Sequence, residues 1–163
     1  MTKYYHSDKG FSKMIDGVKS NAPLNKDMKI EDSWKSSGHA IIDLGEDEFT
    51  VGRPHPMIDL SLRNRRILEE AENKDVAVIL LDVVLGYGSH MNPAEEMAPV
   101  ITKAKEIAKK DGRNISFVFF VTGTKGDPQD KDKTIKILKD TGAIYMPTNA
   151  AACELAGLIV KSI

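Results

Sequence analysis

Two stretches of this chain combine glycine with short polar residues in a way that suits anion chemistry. They are Gly86-Tyr87-Gly88-Ser89-His90-Met91-Asn92 and Thr122-Gly123-Thr124-Lys125-Gly126-Asp127, each lying between an apolar run and the start of a helical pattern. Glycine lets backbone N–H groups approach a negative group closely, and the positive end of a helix dipole favours negative charge there. Gly86, Tyr87, Gly88, Gly123, Thr124 and Lys125 are therefore candidate phosphate-binding residues. The same residue types also make plain tight turns between strand and helix, and that second reading stands beside the first.

A third stretch, from Gly45 to Asp59, is longer and carries two prolines around a histidine, Arg53-Pro54-His55-Pro56. Proline fixes its own backbone and restricts the residue before it, so the imidazole is presented on a stiff segment. Arginine offers a planar fork of donors for phosphate or carboxylate, and histidine titrates near neutrality. Arg53 and His55 are the candidate catalytic pair, with a stiff turn into the next helix as the alternative reading.

Other reactive side chains offer less. His39 stands at the start of a strand, away from the edge where ligands collect, and His90 lies in a glycine context. Cys153 sits among alanines on a helix face with no histidine near it and no metal-ligand spacing around it, which reads as a small core residue. Gly86-x-Gly88 is followed by Met91 where a dinucleotide fingerprint needs its third glycine, and no Gly-Lys-Ser/Thr of a P-loop occurs. Binding of ATP or NAD by this chain alone is not expected.

The elements that must carry these loops follow from pattern. Apolar runs at Ala40 to Leu44, Val76 to Leu85, Ile115 to Val121 and Ala143 to Met146 alternate with segments of helical period. The first helix is expected over Asp59 to Glu72, with Leu60, Ile67, Leu68 and Ala71 inward and the arginines at 63, 65 and 66 on a solvated face. The second has Asn92 as cap, Pro93 at its first position, an inward stripe of Met97, Val100, Ile101, Ala104, Ile107 and Ala108, and Gly112 as its stop. The third has Asp127 as cap, Pro128 next and Gly142 beyond its end, and the fourth starts near Thr148 and Asn149.

Parallel strands joined by helices require right-handed crossovers, so these units predict a flavodoxin-like three-layer α/β/α sandwich with a four- to five-stranded parallel sheet. Residues 1 to 38 form an irregular segment expected to pack on the domain at 39 to 163. At most it holds a short strand at Tyr4 and Tyr5 and a short helix containing Met14, Ile15 and Val18.

At 163 residues and 41% hydrophobic content, one domain with its own core is the default. With 23 basic and 24 acidic residues interspersed to a net charge of −1, nothing forms the footprint of a nucleic-acid or anionic-membrane binder. No apolar run approaches the ~20 residues of a membrane span, and one cysteine with no signal-peptide pattern points to the cytoplasm.

Three runs carry a family resemblance. Asp43-Leu44-Gly45-Glu46-Asp47-Glu48-Phe49-Thr50-Val51-Gly52-Arg53-Pro54-His55-Pro56-Met57-Ile58-Asp59 resembles the FdrA-type acyl-CoA synthetase-like proteins, as do Leu80-Leu81-Asp82-Val83-Val84-Leu85-Gly86-Tyr87-Gly88 and Pro147-Thr148-Asn149-Ala150-Ala151-Ala152. The layout is more distantly similar to the CoA-ligase domain of the succinyl-CoA synthetase β subunit.

The resemblance implies a ligase component whose glycine loop, at Gly86 to Asn92 here, helps hold a phosphoryl group carried by a partner domain. It implies Asp43, Gly45 and Asn149 as substrate-binding residues. Coenzyme A or a nucleotide would be supplied through a CoA-binding or nucleotide-binding partner subunit in a hetero- or homo-oligomer. It also admits a subunit of an FdrA-type oxamate carbamoyltransferase in purine catabolism. FdrA-type proteins are normally much longer, with an N-terminal CoA-binding domain and a preceding glycine-rich strand-loop-helix in this domain, and the first 20 residues here resemble neither.

Two readings of other classes remain. Val78 to Val83 and Val121-Thr122 mimic the phosphoacceptor strand and switch threonine of a response-regulator receiver, with Asp82 as acceptor, although Met146-Pro147 replaces the lysine expected there. A domain that only contributes an oligomer interface is the other.

Overall fold

In the computed structural model, which describes residues 14–163, the two runs richest in β-branched and aromatic residues form the longest strands. In chain order the strands are β1 (Lys19–Ser20), β2 (Ala40–Ile41), β3 (Val78–Val84), β4 (Ser116–Thr122) and β5 (Ile144–Tyr145). The helices are α1 (Asp47–Thr50), α2 (Ser61–Glu72), α3 (Pro93–Lys110), α4 (Lys131–Asp140) and α5 (Asn149–Lys161), with a short 3-10 turn at Lys26–Met28. Among the described residues no helix is long and apolar enough to cross a membrane.

All strand pairing is parallel. β3, β4 and β5 form one sheet in that order, and β1 pairs with β2 in a second. The fold is the expected layered, flavodoxin-like α/β class, with its five parallel strands grouped as three and two. β2 is shorter than the run Ala40 to Leu44 suggests because a side chain takes over the pairing. Asn21 Oδ1 accepts the Asp43 N–H at 2.8 Å and its Nδ2 donates to the Asp43 carbonyl at 2.9 Å.

Alternation along the strands builds two cores. Leu81 and Val83 of β3 and Phe117, Phe119 and Val121 of β4 face α2, α3 and α4, where Ile67, Ala71, Met97, Ile101, Ala104 and Leu138 are buried. Val118 and Phe120 point the other way, onto Ala152, Leu155 and Ile159 of α5. Burying each large side chain contributes about 1.5–3 kcal/mol.

The helix boundaries show which signals were decisive. Gly112 and Gly142 take φ of +72° and +77° just past α3 and α4, a conformation that glycine adopts without Cβ strain. Thr148 caps α5 through the Ala151 N–H. α2 begins at Ser61 rather than Asp59, whose carboxylate accepts the Ser61 N–H at 2.8 Å and is held below the usual carboxylate range by that bond.

Asn92 precedes α3 but makes no side-chain cap. Asp127 does not cap α4 either. Its carboxylate turns back onto Thr124, and Asp130 caps the helix through the Lys133 N–H instead. Met14 to Val18 forms turns rather than a helix and leads into β1, while Tyr4 and Tyr5 lie outside the described residues.

The arginines of α2 also correct an expectation. Only Arg65 is exposed, beside Glu69. Arg66 donates to Glu70, to the Ser33 carbonyl and to Ser36, fastening the segment at 33–36 to the helix. Arg63 reaches Asp82 of β3, pairing with its carboxylate at 2.9 Å and donating to its carbonyl, with both side chains 14% exposed. Asp82 is thus a paired acid inside a strand.

Breaking a largely buried pair leaves the remaining charge poorly solvated. Arg63→Met is expected to lower stability by about 3 kcal/mol in urea unfolding. A loss under about 0.5 kcal/mol, the range of ordinary surface changes, would contradict the pairing.

Candidate functional site at the carboxyl edge of the sheet

β3 and β4 pair over seven residues, from Val78 with Ser116 to Val84 with Thr122, so both strands end at the same level. The loops at 85–92 and 123–130 therefore emerge side by side. The loop at 146–148 follows β5, next along the sheet. The segment at 53–60 joins this edge from its other side through the His90 N–H, which donates to the Met57 carbonyl at 2.7 Å.

β4 turns away at Gly123, which would leave the backbone of Gly86 without a strand partner. Gln129 takes that place, since its Oε1 accepts the Gly86 N–H at 2.9 Å and its Nε2 donates to the Gly86 and His90 carbonyls at 3.1 Å each. Gln129 is 4% exposed. It was missed in the sequence because a glutamine between proline and aspartate carries no motif. Gly86 itself takes φ +132°, a backbone that glycine accommodates.

Beyond this clamp the chain opens toward solvent. Tyr87 is 88% exposed, and the N–H groups of Tyr87 and Gly88 donate to no group among the described residues. In the neighbouring loop the Asp127 carboxylate accepts the Thr124 N–H at 2.5 Å and the Thr124 hydroxyl at 3.2 Å. Lys131 donates to the Gly123 carbonyl at 2.8 Å. Lys125 is exposed on the rim of a shallow groove of about 370 Å³, which Asp127, Asp130 and Lys131 also line.

His90 is held more firmly than its glycine context suggested. Its Nδ1 accepts the Asn92 N–H at 3.1 Å, so the neutral ring carries its proton on Nε2, which lies 2.9 Å from Glu96 Oε2. Asn64 donates to the other Glu96 oxygen. Glu95, one residue earlier, is drawn below the usual carboxylate range by its hydrogen bond from Lys133, whose ammonium is raised in turn. That exposed contact joins the first turn of α3 to the first turn of α4.

The structure brings Asp43, Gly45 and His55 together. Asp43 Oδ1 accepts the Gly45 N–H at 2.8 Å, and a Cβ on Gly45 would stand 2.7 Å from His55 Nε2. His55 Nδ1 accepts the Met57 N–H at 3.1 Å, which leaves Nε2 as the nitrogen facing Gly45. Arg53 lies over the Trp34 ring at 5.8 Å, a cation–π contact that keeps its guanidinium near the surface. Asn149 opens α5 and accepts the thiol of the buried Cys153 at 3.2 Å, while the His39 carbonyl accepts the Lys19 N–H at 2.8 Å.

Chemically, the edge can meet an anion with two backbone N–H groups that have no acceptor among the described residues and with the exposed ammonium of Lys125 on the neighbouring loop. It can add an imidazole and a guanidinium from the stiff loop. Its own carboxylate, Asp127, already occupies the Thr124 donors, so an anion reaching those donors has to displace it.

Two comparisons with known proteins bear on this edge. The family described as CoA-ligase matches residues 13–159. The chain is also 39% identical over 144 residues to the "Uncharacterized protein YahF" of Escherichia coli (strain K12), an alignment that covers 88% of this chain and 27% of that protein. The chain thus spans about a quarter of the length of this curated relative.

Gly123 offers a test of the packing at the edge. A Cβ there would lie 2.8 Å from the Leu85 Cβ and 3.1 Å from Asp127 Oδ2, and the first of these cannot rotate away. Gly123→Ala is expected to cost about 1–3 kcal/mol in denaturant unfolding, the usual range for overpacking. Unchanged stability would show that the two loops are not in contact.

Proposed function

Because the chain belongs to the CoA-ligase family, we propose that it is a component of a succinyl-CoA synthetase-like acyl-CoA ligase. In this reading it supplies one phosphate- and carboxylate-binding wall of an active site shared with a CoA-binding or nucleotide-binding partner domain. The observation that carries the proposal is the pair of N–H groups at the exposed residues Tyr87 and Gly88, which donate to no group among the described residues, at the carboxyl edge of a parallel sheet whose next loop carries the exposed Lys125. Ligands of open α/β sheets collect at this edge.

The roles divide along the loops. Tyr87 and Gly88 donate to a phosphoryl group, with Gly86 and Gly123 allowing the backbone to approach it. Thr124 and Lys125 contribute once Asp127 turns aside. His55, oriented by the Met57 N–H and facing Gly45, exchanges a proton with a carboxylate substrate in this reading, and Arg53 binds its charge. Asp43, Gly45 and Asn149 complete the substrate side.

Coenzyme A or the nucleotide enters from the partner, because the groove beside Lys125 is shallow and its lining includes three aspartates, Asp127, Asp130 and Asp132. Such a surface suits contact with one phosphate more than enclosure of a whole nucleotide. The finer FdrA-type assignment rests on the run from Asp43 to Asp59, whose Asp43, Gly45 and His55 come together in space.

The test is reconstitution. Acyl-CoA formation driven by nucleotide is expected only when this chain is combined with a partner carrying the CoA-binding domain. Replacing Arg53 and His55 together by alanine should cut that activity by about a hundredfold or more, the scale of a lost general acid or base, with assembly retained. A chain fully active alone would contradict the shared site. Full activity in the double variant would make this loop scaffold.

A further inference from the structure

We infer that Gln129 is a positioning residue that makes the two glycine loops a single ligand-responsive unit, holding Gly86 so that the Tyr87 and Gly88 N–H groups, which donate to no group among the described residues, are kept available to a ligand. The inference rests on the shared-site reading above and concerns a residue outside the glycine loops themselves. Gln129 sits 43 residues from Gly86 in sequence, yet its side-chain amide forms a two-way pair with the Gly86 peptide and a third bond to the His90 carbonyl.

The amide is the one side-chain group that fits. The site presents one N–H and two carbonyls, so it requires an acceptor and a two-hydrogen donor on the same planar group, and this also fixes which end of the amide is oxygen. With β4 gone beyond Thr122, the partly buried Gly86 N–H would otherwise lack a partner, a costly state for a backbone group, and its carbonyl would keep only the Ser89 N–H at 3.2 Å. Gln129 thus extends the edge of β3 by one residue.

The same side chain links the loop to its neighbour at its root. Gln129 directly precedes the α4 cap Asp130 and follows Asp127, whose Oδ1 lies 3.8 Å from where a Gly86 Cβ would be. Any movement of Asp127 away from Thr124 therefore occurs two residues from the group that fixes Gly86. The second tie between the loops, Lys133 to Glu95 at 2.7 Å, is exposed and on the outer side.

The experiment titrates the full chain with sulfate, an anion whose charge is constant over the working range, and follows backbone amide shifts. Wild-type protein is expected to show saturable shifts at Tyr87 and Gly88. Gln129→Met, similar in size but without hydrogen bonds, should weaken sulfate binding by about tenfold or more, with the amides of α5 unmoved.

Gln129→Glu separates positioning from mere stability. At about pH 8 its carboxylate faces the Gly86 and His90 carbonyls and binding should be weak. Near pH 4 the protonated carboxyl regains an acceptor and one O–H donor in place of the amide's two, so affinity should rise by about threefold or more over its value at pH 8, each measured relative to wild type at the same pH. Equal sulfate affinity in wild type and Gln129→Met, or a Gln129→Glu whose affinity ignores pH, would overturn the role of Gln129 while leaving the anion site standing. A wild type in which sulfate moves no amide of Tyr87 or Gly88 would overturn the shared-site reading and this role with it.

Discussion

The in-register parallel pairing of β3 with β4 is the constraint on which the rest depends. Seven consecutive pairs, from Val78–Ser116 to Val84–Thr122, bring the two strands to their ends at one level. Because side chains alternate along both strands, the same register assigns Phe117 and Phe119 to one core and Val118 and Phe120 to the other. A slip of one residue would exchange these faces and separate the loops that follow. Everything proposed for the edge requires that they stay adjacent.

Adjacent loops of this kind gather backbone dipoles that point the same way, and the molecule manages them with its own polar groups. Gln129 takes the Gly86 peptide, Asp127 takes the Thr124 donors, and Asn92 N–H goes to His90. Each contact satisfies a group that a turn at a strand end would otherwise leave to water. Among the described residues the N–H groups of Tyr87 and Gly88 donate to no group, and Lys125 is exposed on the neighbouring loop. An edge built in this way is rigid at its root and exposed at its tip, which suits a surface that has to meet another domain's ligand.

Much of this was legible in the sequence, and the reasons for the misses are physical. The buried stripe of α3, the glycine stops at Gly112 and Gly142 and the cap at Thr148 are local signals, set by residues a few positions apart, and the structure repeats them. Asp127 misled because Asx residues serve turns and helix caps equally well, and here the turn to Thr124 won. Arg63 and Arg66 read as surface because the helical stripe says nothing about a strand acid or a loop carbonyl within reach of a long side chain. Gln129 and the shortening of β2 by Asn21 are long-range side-chain to backbone bonds, to which no local pattern corresponds. At the candidate site the glycine loops and the His55 segment were visible as motifs. The close approach of His55 to Gly45 was not, since it depends on how the turn after α1 folds back.

A crystal of this chain grown in sulfate tests the central claim, that the carboxyl edge is an anion site centred on one loop. The account predicts density within hydrogen-bond distance of the Tyr87 and Gly88 N–H groups, with the Gly86 to Gln129 pair intact. Sulfate bound only elsewhere, with those N–H groups turned into the protein, would contradict it.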